Sequence, residues 1–146
     1  MNIKQVYKLF GCRLIEYADV VFASWEYSED AIREAEALAR EAGAGRFAYA
    51  PSNQRAFRRI IERARPHAVI ALDDASLKAF GEPEFVWDGV SYYSLLGGFI
   101  AVLPLSAGRE WVVRTLKKLL KMRKGVLTRR VALLYAIANR EEAKGA

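Results

Sequence analysis

The sequence predicts an α/β fold, a three-layer sandwich around a short and mostly parallel sheet, on three observations. Segments 18–24, 46–50 and 67–72 are dominated by apolar residues and of strand length, the pattern of strands covered on both faces. The segments between them carry apolar residues at helical spacing, so strand and helix alternate. Alternation at these lengths implies parallel strands joined by right-handed crossovers, a Rossmann-like arrangement.

In chain order, Ile3, Val6, Tyr7 and Phe10 recur at helical spacing, which predicts a short helix ending near Gly11. The first buried strand follows at 18–24. Ser28 then offers a helix N-cap, with Glu29 and Asp30 in the first turn, where the helix dipole favours carboxylates. Ile32, Ala35, Leu38, Ala39 and Ala42 form the inward stripe, and Gly43 stops the helix. The second strand, 46–50, leads through Pro51-Ser52-Asn53 into a helix bearing Phe57, Ile60 and Ile61. Arg65-Pro66 ends it, because a residue before proline avoids the right-handed α region. After the third strand, Asp73-Asp74 opens a short helix that reaches Phe80-Gly81.

The pattern then changes. Asp88-Gly89 between β-formers over 85–95 predicts an added β-hairpin, and 99–105 reads as another core strand. Residues 109–124 form an amphipathic helix, with Val112, Val113, Leu116, Leu119 and Leu120 on one face and Arg114, Lys117, Lys118, Lys121 and Lys124 on the other. Thr128 caps a last C-terminal helix with Val131, Leu134, Tyr135 and Ala138 inward.

The 146 residues, 53% hydrophobic and 27% charged, fit a single domain, 1–146, that buries a core without staples. Cys12 is the only cysteine, so an intramolecular disulfide and a thiolate zinc site are excluded, and a reducing, cytoplasmic setting is expected. His67 is the only histidine and stands at the start of a strand, at the sheet end opposite the expected crevice. No metal site is predicted and no cofactor is indicated. Residues 89–108 carry no charge and match a bilayer in length, but their glycines, proline, serines and tyrosines read as buried strands, so no membrane partner is expected. Few Asn and Gln beside many Arg, Glu and Ala give a thermophile-like composition.

The net charge of +6 is local. Residues 1–108 carry 12 Lys or Arg against 14 Asp or Glu, whereas 109–130 carry nine against Glu110 alone. A basic face of this kind suits the phosphates of nucleic acid or an acidic partner surface. The two helices flanking Gly125-Val126-Leu127 also allow a helix-turn-helix.

Ligands of open parallel sheets bind beyond the carboxyl ends of the strands. Those exits carry Ser24-Trp25-Glu26, Pro51-Ser52-Asn53, Asp73-Asp74 and Ser106-Ala107-Gly108-Arg109. Ser52, Asn53, Ser106, Gly108 and Arg109 are therefore candidate anion-binding residues, since small polar residues before a helix expose N–H groups at its positive end. Ordinary helix capping is the simpler role for the same residues. Asp73 and Asp74 are candidate catalytic carboxylates, and one of them is equally a helix cap. Trp25 and Tyr27 are candidates to stack on a planar ligand, or else roof the core. No Gly-x-Gly-x-x-Gly or Walker pattern occurs.

Over residues 50–81 (APSNQRAFRRIIERARPHAVIALDDASLKAFG) the chain resembles an uncharacterised prokaryotic family, domain of unknown function one hundred and sixteen. That family pairs a Pro-Gly-Ser-like turn, an amphipathic helix, a basic-Pro break and an apolar strand ending in Ala-Cys. The turn here is Pro51-Ser52-Asn53, and Leu72-Asp73 stands where the cysteine is expected, so no metal-centred role carries over. The same segment, with Leu103-Pro104-Leu105-Ser106, is similar to the later half of uracil-DNA glycosylase-like folds. Those enzymes carry a histidine before the serine; Leu105 stands there instead, so the resemblance implies the fold and not the activity.

The expected function is an anionic-ligand-binding module, taking a phosphate-bearing metabolite at the strand exits or a nucleic-acid backbone on the basic helix. The alternatives are a small enzyme using Asp73 or Asp74, and a structural partner protein that docks through its basic helix.

Overall fold

Val20–Ser24 (β2), Phe47–Pro51 (β3) and Ala68–Ala71 (β4) are buried along their whole length, as unbroken apolar strands must be when helices cover both faces of a parallel sheet. The computed structural model describes residues 6–8, 18–95 and 98–121. Its remaining elements are β1 (Val6–Lys8), α1 (Glu29–Ala42), α2 (Phe57–Ala64), α3 (Asp74–Lys78), β5 (Phe85–Trp87), β6 (Val90–Leu95), β7 (Gly98–Pro104) and α4 (Arg109–Lys121). Among the described residues the sheet has the order β1-β3-β2-β4-β7-β6-β5. The first five positions pair in parallel, and the β5–β6 hairpin closes the far edge antiparallel.

Side chains alternate across each strand, which divides the core in two. Val20, Phe22, Phe47, Tyr49, Ile70 and Leu103 pack on one face against Ala35 and Leu38 of α1 and Val112, Leu116 and Leu119 of α4. Val21, Ala23, Ala48, Val69 and Val102 pack on the other against Phe57, Ile60 and Ile61 of α2, with Phe80 beside them. The result is the expected three-layer α/β sandwich. The chain leaves β2 towards β3 on one side and returns past β2 to β4 on the other. Two right-handed crossovers running in opposite directions place their helices on opposite faces, and α1 and α2 do lie on opposite faces.

Local chemistry fixes most boundaries. Ser28 Oγ accepts from the Ala31 N–H at 3.2 Å to start α1, and Gly43, at φ 74°, ends it in the left-handed region. Arg65 closes α2 at φ 46°, so the residue before Pro66 leaves the right-handed α region as expected. Asp88 and Gly89 both take positive φ, 52° and 75°, the requirement of a tight two-residue hairpin turn. The charge-free stretch 89–108 runs mainly through β6 and β7. No helix of the described residues is long and apolar enough to cross a membrane.

One expectation is overturned. Val6–Lys8, assigned to a helix by its spacing, is a strand, paired in parallel with Phe47, Ala48 and Tyr49. The free edge of β3 offers a row of backbone donors and acceptors, and satisfying them outweighs a short local period in residues that are good β-formers. Cys12, Lys124 and the last helix expected from Thr128 lie outside the described residues.

Candidate ligand cleft at the strand exits

Because β3 and β4 flank β2, the chain turns away from the exit of β2 in both directions. Such a switch point leaves a crevice beyond the strand ends. The segment leaving β2, from Ser24 to Ser28, is held down by its backbone on both sides. Ser52 N–H donates to Ser24 O at 2.7 Å, Asn53 N–H to Trp25 O at 3.0 Å, and Leu72 N–H to Ala23 O at 2.8 Å. Beneath it, the buried Tyr49 hydroxyl meets the Ser24 hydroxyl, accepts from Ser28 N–H at 3.0 Å and donates to Glu26 O at 3.0 Å. With the backbone fixed, the Trp25 and Tyr27 side chains project, 44% and 43% exposed.

Asp73 closes the other side. Its Oδ1 accepts from Ser76 N–H at 2.8 Å, capping α3, and its Oδ2 accepts from Trp25 N–H at 2.9 Å. Partial burial pushes its carboxyl pKa up, but the backbone bonds from Trp25 and Ser76, with the Ser76 hydroxyl, outweigh this and hold it below the ordinary 3.8. The carboxylate therefore stays ionised with both oxygens engaged, a clasp between two loops rather than a base awaiting a proton. Asp74 lies exposed in the first turn of α3, outside the cleft wall.

Between these loops opens a cleft of about 500 Å³. Trp25, Tyr27, Leu72 and Leu105 give it apolar surface, and Glu26, Asp30, Glu34 and Asp73 give it carboxylates; among the described residues no lysine or arginine lines it. Asp30 and Glu34 stand one turn apart on α1, so both reach the same wall.

Of the candidate anion-binding residues Ser52, Asn53, Ser106, Gly108 and Arg109, none lines this cleft. Ser52 is buried, with its hydroxyl 2.8 Å from that of Ser76. Because α2 begins only at Phe57, neither Ser52 nor Asn53 stands at its N-terminus. Ser106 lies in a 3-10 turn, Leu105–Ala107, and Gly108 follows at φ 113°; neither lines the cleft. Arg109 binds the carboxylates of Glu34 and Glu41, bridging α4 to α1. These bonds, Glu41 foremost, hold its proton more tightly than usual. Of the residues singled out in the sequence, the cleft gathers Trp25, Glu26, Tyr27 and Asp73, and adds Asp30 and Glu34. The overlooked signal was the i, i+4 carboxylate pair at the start of a helix leaving the switch point.

His67 donates its backbone N–H to Asp19 O at 2.8 Å, next to the amino end of β4 and away from the cleft. Among the described residues no group of three or more His, Cys, Asp or Glu is placed to hold a metal ion. On α4, Arg114, Lys117, Lys118 and Lys121 are all exposed, and Lys118 Nζ lies 2.8 Å from Asp88 Oδ2 in the hairpin turn. Compared with models of protein families, with curated proteins and with solved structures, the chain matches none.

Proposed function

We propose that this protein is a small-ligand-binding module whose site is the cleft between the exits of β2 and β4. Its ligand is planar and rich in donors, presenting ammonium, N–H or O–H groups. One observation carries the reading: the cleft pairs two half-exposed aromatic rings with four carboxylates, and among the described residues no cation stands in its wall. Rings of this kind stack on planar groups and attract cations through their faces. Ionised carboxylates only accept hydrogen bonds, so they select a partner that donates.

Magnitudes favour a donor over the phosphate ligand that the sequence suggested. The N-terminus of α1 favours an anion by about 1 kcal/mol. A carboxylate 5 Å from an anion costs about 3 kcal/mol at an effective dielectric constant of 20, and Glu26 and Asp30 contribute while Arg109 offsets the charge of Glu34. The repulsion wins. Binding rather than catalysis is also favoured by Asp73, whose carboxylate oxygens are both held by backbone donors. With one cysteine in 146 residues, we place the protein in the reducing cytoplasm.

A thermal-shift and tryptophan-fluorescence screen tests the assignment, with tryptamine and adenosine as planar donors and inorganic phosphate and pyrophosphate as anions. A planar donor at about 100 times its Kd adds about 2.7 kcal/mol and raises Tm by several degrees. It also changes the tryptophan emission, and W25F removes that change although Trp87 and Trp111 remain. Stabilisation by the phosphates and not by the donors overturns the reading.

A further inference from the structure

The charge on α4 is separate from the cleft and points to a different partner. Arg114, Lys117, Lys118 and Lys121 stand at i, i+3, i+4 and i+7, a single stripe, and all four are exposed. Opposite them, Val112, Leu116 and Leu119 are buried in the core. Lys118 is held by Asp88, while Arg114, Lys117 and Lys121 make no ion pair among the described residues. Glu110 stands one turn before Arg114 on the same helix, and Asp88 meets Lys118.

We propose that this face of α4 docks on the sugar–phosphate backbone of nucleic acid, without base reading. The stripe from Arg114 to Lys121 extends about 10 Å at 1.5 Å per residue. One strand of a duplex advances about 3.4 Å per phosphate, so the three unpaired cations match about three successive phosphates. The sequence continues the charge: residues 122–130 add Arg123, Lys124, Arg129 and Arg130 and no carboxylate. An anionic membrane fits this face less well. Helices that lie on bilayers bury an apolar stripe in the acyl boundary, and the apolar stripe of α4 is already used against the sheet.

The test is fluorescence anisotropy with a 20-base-pair DNA duplex of mixed sequence, titrated at several salt concentrations. Three phosphate contacts predict a slope of log K against log salt of about −2.7 or steeper, so affinity falls at least about 40-fold from 50 to 200 mM salt. K117A/K121A reduces the steepness of that slope by about two, and duplexes of different sequence bind alike. R114Q, a milder change, reduces it by about one. Both variants replace exposed side chains, and urea melts matching the wild type show that they fold. No binding at 50 mM salt, a slope shallower than −1, or unchanged binding by K117A/K121A overturns the proposal. Binding to vesicles of phosphatidylserine and phosphatidylcholine that the duplex does not compete away overturns it too, in favour of a membrane surface. The cleft ligand plays no part in any of these readouts, so the two proposals fail independently.

Discussion

The backbone N–H of Trp25 donates to Asp73 Oδ2 at 2.9 Å, joining the loop that leaves β2 to the helix that follows β4. Forty-eight residues separate the two in sequence. The same carboxylate caps α3 through Ser76, so one side chain both starts a helix and ties together two loops that line the cleft.

Removing that clasp has a defined cost. D73A loses a helix cap and the bond from Trp25, and urea unfolding at pH 7 shows a loss of about 2 kcal/mol. D73N retains an acceptor and loses about half as much. The carboxyl pKa is lower folded than unfolded, so its stabilisation is complete above the ordinary 3.8 and disappears as pH falls through the lower folded value. The gap between wild type and D73N therefore narrows below about pH 4. A gap that stays constant down to pH 2 contradicts the clasp.

Tyr92 gives an opposite expectation. Its ring stacks on Phe85 with centroids 4.9 Å apart, but its hydroxyl is buried with no hydrogen-bond partner among the described residues. Y92F removes a desolvated polar group and leaves stability unchanged or higher by up to about 1 kcal/mol in thermal melts. Burial first, then the charge of Asp88, push its pKa up to about 12. From pH 10 to 12 the folded chain keeps a proton that the unfolded chain releases, so stability falls with pH, and Y92F makes that decline shallower. Tyr93, also raised by burial, preserves part of the slope in the variant.

Arg109 was legible as a cation near the strand exits but not as a paired one. Its partners, Glu34 and Glu41, lie 75 and 68 residues earlier, and only the packing of α4 beside α1 brings them together. The groups are partly exposed, so R109M costs no more than about 1 kcal/mol in urea melts, and most of the difference disappears in 0.5 M salt. A loss of several kcal/mol that salt leaves intact contradicts a surface bridge.

In the cleft, Glu26 is expected to attract a donor ligand more strongly than Glu34 does. Isothermal titration with tryptamine gives about fivefold weaker binding for E26Q, the equivalent of about 1 kcal/mol for an exposed charge pair. E34Q has a smaller effect, because Arg109 already neutralises that carboxylate. Equal affinity in E26Q and the wild type contradicts a role for Glu26.

The fold was readable where one local signal dominates. Segments dominated by apolar residues gave β2, β3 and β4, Ser28 and Gly43 bounded α1, and Asp88-Gly89 placed the hairpin. At Val6–Lys8 the helical spacing misleads, because the pairing with β3 depends on residues 41 positions away, which no local period records. The site was half readable for the same reason. The four strand exits were identifiable, with Trp25, Glu26 and Asp73 among their residues and Tyr27 just beyond the first. The burial of the Ser52 hydroxyl against Ser76, and the carboxylates that Asp30 and Glu34 add to one wall, follow from strand order and helix rotation. Those long-range terms are what lead us to propose a donor ligand in place of an anion.

The most direct test is a two-dimensional amide and indole NMR map of the whole chain, recorded with a small fragment set that contains planar amines and simple phosphates. Planar amines are predicted to shift the Trp25 indole and the amides of Glu26, Tyr27, Asp30 and Asp73 together, with phosphates leaving those signals in place. Shifts that cluster at Ser52, Ser106 and Arg109 with the phosphates, and spare the Trp25 indole, contradict it.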